Sequence, residues 1–159
     1  MRILDVGSGD EIHFDPVVHE VVHIDVLPGS FCLELVCSGF KLPFLDESFD
    51  VVHCSHVLEH VRDPWSFLLE LRRVTKKAVV LKIPNSGFYK LFSCSNEHIF
   101  GWSPFDFENL LKRIFRRVEV SGSWRIIDYR GAFGKLQTVK VYLLSMFSGY
   151  NELTGVCWI

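Results

Sequence analysis

The chain has 159 residues, 48% of them hydrophobic and 23% charged, a balance that fits one globular domain with a buried core and argues against disorder. The formal net charge of -2 and the pI near 6.4 supply no broad basic field, and Lys and Arg come only in pairs such as Arg72-Arg73, Lys76-Lys77 and Arg116-Arg117, which disfavours nucleic acid as a partner. The five cysteines (Cys32, Cys37, Cys54, Cys94, Cys157) are odd in number and lack CxxC spacing, Asp5 interrupts any signal core, and no apolar run reaches the ~18 residues of a membrane span; a reducing, cytoplasmic setting without a membrane span is expected.

Residues 2–7 (RILDVG), 21–26 (VVHIDV), 33–37 (LELVC), 50–54 (DVVHC) and 78–83 (AVVLKI) are short β-branched runs ended by turn residues, the pattern of buried parallel strands. Asp63-Pro64 places a cap and a first-turn proline before WSFLLELRRVT, with Phe67, Leu71 and Val74 on one face and Ser66, Glu70 and Arg73 on the other. Ser103-Pro104 does the same for FDFENLLKRI, where Asp106 completes a capping box and Phe107, Leu110, Leu111 and Ile114 face inward. Beyond residue 115, RRVEVSGSW predicts a strand, residues 125–134 a loop, KLQTVKVYLLSMFSGY an ambiguous helix and TGVCWI a last strand. No repeat or linker divides the chain, so one domain over 1–159 is expected, an α/β order that calls for a mostly parallel sheet with helices on both faces.

VGSGD follows the first strand directly, where open α/β sheets bind ligands. Gly7 and Gly9 let the backbone bend and approach a ligand, although many strand-end turns use glycine for positive φ alone. Asp25 ends the second strand 18 residues after Gly7, near the spacing at which an acid accepts hydrogen bonds from a ribose; otherwise it is a solvated turn aspartate. A dinucleotide site would continue GxGxxG into a helix that holds the pyrophosphate. Here GSGDEIHFDPVV has no third glycine, places two acids at that point and breaks at Pro16, which fits a nucleoside without phosphate, such as S-adenosylmethionine.

ILDVGSGD, then VVHIDV, then LPFLDESFDVVHCSHVLEHVRDPWSFLLELRRV resembles the class I S-adenosylmethionine-dependent methyltransferases over most of residues 2–115, in particular the small, broad-specificity type 11 group. The resemblance implies a Rossmann-like, mostly parallel seven-stranded sheet of order 3-2-1-4-5-7-6 with the last strand antiparallel, a cofactor half near 1–84 and a substrate and lid half near 85–159. By the same resemblance Asp5, Gly7, Ser8 and Gly9 cradle the methionine portion of the cofactor, Asp25 binds the ribose, and Val26 and Leu27 flank the adenine. Ser38, followed by Gly39, stands where the family usually carries an acid for the adenine amino group, and Cys54, Ser55 and His56 lie beside the methionine chain. The family usually has a helix or two before the first strand, whereas this chain starts in the strand; the lid is expected from residues 85–103, from 125–150, or from a second subunit, either a homo-oligomer or a partner.

His56, Glu59 and His60 also spell HxxEH, the spacing of the inverted zinc proteases. A strand runs into Cys54-Ser55 and Asp63-Pro64 opens a new helix three residues beyond His60, so no sustained helix carries both histidines. A zinc hydrolase stays a remote alternative and no metal ligand is assigned. The expected activity is methyl transfer to an unidentified small or medium-sized acceptor, with S-adenosylhomocysteine as product. His56 and His98 are the candidate bases, because imidazole titrates near neutrality. His60 is a weaker candidate, since it and Glu59 read more strongly as a turn pair tied to backbone or a neighbouring helix; His98 reads otherwise as a surface loop residue. The aromatics Phe88, Tyr89, Phe92, Phe100 and Trp102 make either an apolar substrate mouth or a self-packed lid. A different class of reading is a cofactor-binding but inactive subunit that supports a partner, prompted by the missing N-terminal cap and by Ser38.

Overall fold

A computed structural model describes residues 1–9, 14, 19–28, 33–85, 98–123 and 152–159. Within them the elements are β1 (Arg2–Val6), β2 (Glu20–Asp25), β3 (Leu35–Val36), β4 (Phe49–Ser55), a 3-10 turn (Leu58–His60), α1 (Pro64–Val74), β5 (Thr75–Pro84), α2 (Pro104–Lys112), β6 (Arg117–Ser123) and β7 (Glu152–Trp158). The expected loop at 125–134 and the helix-like KLQTVKVYLLSMFSGY lie outside the described residues.

The strands form one sheet of order β3-β2-β1-β4-β5-β7-β6. β1, β2, β3, β4 and β5 pair in parallel, and β7 runs antiparallel between β5 and β6, as expected. The order reverses between β1 and β4, which makes the carboxyl ends of those two strands the crevice of the sheet. β3 is shorter than 33–37: both of its residues are exposed, and a single neighbour, β2, pairs with it. With so little apolar area to bury, an edge strand gains little from more ladder bonds.

Both helices start where their caps require. Asp63 Oδ1 accepts from Ser66 N at 3.1 Å ahead of Pro64. Ser103 Oγ accepts from Asp106 N at 3.1 Å and donates to Asp106 Oδ2 at 2.6 Å. α1 buries Phe67, Leu68, Leu71 and Val74, and α2 buries Phe107 and Leu111. Ile114 lies beyond the end of α2 yet is buried with Phe115. α1 passes into β5 without a loop: Thr75 leaves helical geometry, while its hydroxyl donates back to Leu71 O at 2.6 Å.

The polar face of α1 does more than meet solvent. Glu70 and Arg73 are half-buried, and Arg73 donates to both Glu70 oxygens, to Asp46 Oδ1 and to the carbonyls of Leu42 and Phe44. Glu70 Oε1 accepts from Leu42 N at 2.7 Å. This fork fastens the LPFLDE segment before β4, using the planar geometry that distinguishes arginine from lysine.

Phe107 is fully buried whereas Phe105, one face away on the same helix, is 71% exposed. Phe107→Ala is expected to lower the unfolding free energy by about 3–5 kcal/mol, and Phe105→Ala by less than about 0.5 kcal/mol. Urea denaturation of the two variants checks the assignment; equal losses would contradict it.

Candidate functional site

The crevice is built around a polar row inside the sheet. The parallel register sets Asp5 of β1 opposite His23 of β2 on one side and His53 of β4 on the other. Asp5 is 1% exposed; its Oδ1 lies 2.7 Å from His53 Nδ1, and its Oδ2 lies 3.3 Å from His23 Nδ1, at ion-pair distance without hydrogen-bond alignment. Facing a carboxylate oxygen, His53 Nδ1 is the donor. Phe14 meets the His53 ring edge-on at 5.1 Å. Asp5, expected beside the methionine portion of a cofactor, therefore turns its side chain to two imidazoles within the sheet.

Above Asp5 the chain makes the glycine turn. Gly7 and Gly9 have φ of 71° and 52°, the left-handed region that favours glycine. A Cβ on Gly7 would stand 2.2 Å from Val57 Cγ2, so this glycine also allows the turn to lie against the segment after β4. Gly7 N and Ser8 N both donate to Ile24 O, at 2.8 and 3.2 Å. Gly9 N donates to Asp25 Oδ2 at 3.2 Å and Leu27 N to Asp25 Oδ1 at 3.0 Å. The predicted turn and the predicted acid are thus in direct contact, and each Asp25 oxygen retains acceptor capacity.

Three observations test whether this place suits the polar, phosphate-free nucleoside that the sequence implies. A Cβ on Gly9 would meet nothing within 4 Å, so there is open space over the turn. Ser8 is 3% exposed and its hydroxyl has no partner among the described residues, an orphan that a ligand's polar group would satisfy. Val26 and Leu27, just past Asp25, expose 62% and 72% of their surface. The residues fit.

The remaining predicted positions divide. Ser38 is exposed, and its hydroxyl accepts from Phe40 N at 3.3 Å. Gly39 is buried where a Cβ would stand 2.4 Å from the Phe67 ring, so it makes room for α1. Cys54 is in the core, and burial first, then the charges of Glu59 and Asp5, push its thiol well above the ordinary range and keep it protonated. Ser55 ends β4 opposite Lys82.

His56 follows in a left-handed conformation, φ 56°, which is uncommon for a residue with a side chain. Its Nε2 is 2.9 Å from Glu152 Oε1 and its Nδ1 3.3 Å from Glu59 Oε1, while its backbone N donates to Lys82 O. The Glu152 hydrogen bond first, and the Glu59 carboxylate second, raise its pKa from 6.5 to about 9 against the effect of burial. His56 is thus a cation at neutral pH, clamped between β7 and the turn after β4. Glu59 itself is fully buried, and its carbonyl accepts from Ile99 N and Phe100 N, which ties the turn to the segment after β5. That segment brings His98 into edge-on ring contact with His60 at 4.9 Å.

Sequence reasoning did not reach His23, His53 or Glu152. The first two were accessible through register, since each lies at the level of Asp5 in its strand. Glu152 is 96 residues from its partner and had no local signal. A raised folded-state pKa on His56 stabilises the fold fully below about pH 6.5, and that contribution disappears as pH rises through about 9. The urea midpoint is expected to fall across that window, and Glu152→Gln to flatten the fall. An unchanged slope in the variant would refute the clamp.

Comparison with known proteins agrees with this geometry. Residues 4–81 match the family model described as a methyltransferase domain. An uncharacterized methyltransferase of Schizosaccharomyces pombe is 54% identical over 100 residues, 47% of this chain and 36% of the relative; one of Mycobacterium marinum is 47% identical over 49 residues, 31% of this chain and 18% of the relative. The matches therefore span about a third or less of those relatives' length. A methyltransferase from Archaeoglobus fulgidus described as S-adenosylmethionine-dependent shares the fold at TM-score 0.69 and 16% identity, covering 99% of this chain and 86% of that one. A Haloferax volcanii methyltransferase solved with the Trm112 methyltransferase activator does so at TM-score 0.72 and 16% identity, covering 99% and 81%. Residues 4–81 of this chain thus match a methyltransferase domain, and its strand order belongs to a fold shared with solved methyltransferases described as S-adenosylmethionine-dependent.

Proposed function

We propose that this chain binds S-adenosylmethionine over the Gly7–Gly9 turn and transfers its methyl group to a small or medium-sized acceptor by in-line displacement. The observation that carries the reading is the Asp25 carboxylate bonded to Gly9 N, which joins the end of β2 to the turn leaving β1, one of the two strands between which the order reverses. The cofactor, when bound, supplies a methyl group already activated on a sulfonium. The protein's part is to orient and to exclude water.

The residues supply those parts in order. Asp25 accepts the ribose hydroxyls, with charge-assisted bonds that recognise a diol. Val26 and Leu27 offer apolar surface to the adenine; Ser38 offers the ring no carboxylate, so adenine is held chiefly by shape. The Ser8 hydroxyl and the turn's backbone hold the polar end. His56 serves as a fixed cation that holds Glu59 and Glu152, not as a base. Acceptor deprotonation is unnecessary for an acceptor that attacks through a lone pair; for one that must lose a proton, His98 is the base only where it holds no metal. Among the described residues no helix is long and apolar enough to cross a membrane.

Ser38 also favours a second reading, a subunit that binds the cofactor and supports a partner without turning over. Calorimetric titration with S-adenosylmethionine and S-adenosylhomocysteine tests the first. Both are expected to bind, and Asp25→Ala to weaken each by about 10- to 100-fold, the worth of one or two charge-assisted bonds. Binding with S-adenosylhomocysteine release from a pooled set of small acceptors supports the enzyme; binding without release supports the subunit. A folded protein that binds neither ligand contradicts both.

A further inference from the structure

Glu59, His60 and His98 converge at the same end of the sheet as the glycine turn, but on the β4 and β5 side. Each offers one ligand atom, and those atoms all lie within 4.8 Å of one another. The segments that carry them are held together by backbone: Ile99 N and Phe100 N, next to His98, donate to the carbonyl of Glu59 at 2.9 and 3.1 Å. His60 is exposed and His98 half-exposed, so one side of the group opens to water.

The second observation concerns the carboxylate alone. Glu59 is 0% exposed, and neither of its oxygens has a hydrogen-bond partner among the described residues; His56 Nδ1 stands at ion-pair distance, 3.3 Å, from Oε1. The His56 cation offsets part of the burial cost at Oε1, but Oε2 has no hydrogen bond among the described residues, and a metal cation bound there would satisfy it. The backbone hydrogen bonds of the turn and the core position of its neighbour Leu58 give Glu59 little freedom to reach solvent instead.

We infer that Glu59, His60 and His98 form a binding site for one first-row divalent transition cation. One carboxylate and two imidazoles suit zinc, cobalt or nickel better than the harder magnesium or calcium, which prefer an all-oxygen shell. Ligand atoms around such an ion at about 2.0–2.2 Å stand closer together than these, so binding draws the three side chains inward. The ligand set is not the HxxEH one. His56 is turned to Glu152 and the third ligand comes from the segment after β5, so the motif contributes two ligands and the fold the third. Open coordination positions face the solvent side, and His98 then acts as a ligand, not as a base.

Cobalt(II) is the probe, because its visible absorption reports nitrogen and oxygen ligation independently of any activity. Chelator-treated protein is expected to take up one equivalent and to develop visible d–d bands as imidazoles enter the shell. His60→Asn and His98→Asn, at exposed and half-exposed positions that the core does not need, should each weaken uptake at least tenfold, and zinc should displace the cobalt. Glu59→Gln should abolish the bands; because that residue is buried, its circular dichroism is compared with the wild type, and the histidine variants decide if it unfolds. His19→Asn, outside the cluster, should leave uptake unchanged. No uptake by the folded wild type, or uptake unaltered by both histidine variants, overturns the site.

Discussion

The candidate site depends on one buried carboxylate. Asp5 lies in the middle strand of three, between His23 and His53, with almost no exposure to water. Taking a hydrogen-bond partner from a buried carboxylate is costly, because its charge remains in a medium that cannot solvate it. A slip of one residue in either neighbouring strand would exchange an imidazole for an apolar side chain and leave Asp5 unmatched. The row therefore acts less as a source of stability than as a register pin. Apolar strands such as VVHID and DVVHC would pair almost as well one step off, were it not for the histidine that each contains.

From that register the crevice follows. With β1, β2 and β4 in step, the glycine turn leaves β1 beside Ile24 and Asp25, and its first glycine lies against Val57. β4 likewise ends level with β5, where Lys82 O accepts from His56 N. The left-handed backbone at His56 is held by two carboxylates, one from the turn and one from β7. Polar groups at this edge are thus fastened by elements far apart in sequence, while the apolar core beneath carries the stability. This division suits a site that must hold a charged ligand without reorganising.

The sheet was legible because its strands are short β-branched runs with clear ends, and the helices because Asp63-Pro64 and Ser103-Pro104 are capping signals with a direct physical cause. Strand order came from resemblance, since periodicity does not tell which strands adjoin. Gly7, Gly9 and Asp25 were legible as a set, as their chemistry is local to two strand ends. Glu70 and Arg73 were legible as the polar face of the helix, but helical periodicity cannot show that a loop comes to lie on those charged residues. His56 looked like a base because its imidazole is ordinary in isolation; Glu152, which makes it a cation, arrives from the last strand. Glu59 and His60 were legible as a turn pair, but not the approach of His98, which needs the backbone bonds from Ile99 and Phe100.

The most direct measurement is a crystal structure of the protein with S-adenosylhomocysteine. The account predicts Asp5 between His23 and His53 as here, the nucleoside lying over Gly7 to Gly9, and both ribose hydroxyls on the Asp25 carboxylate. A nucleoside bound elsewhere, or an Asp25 that keeps to its backbone partners with the ribose out of reach, would contradict it.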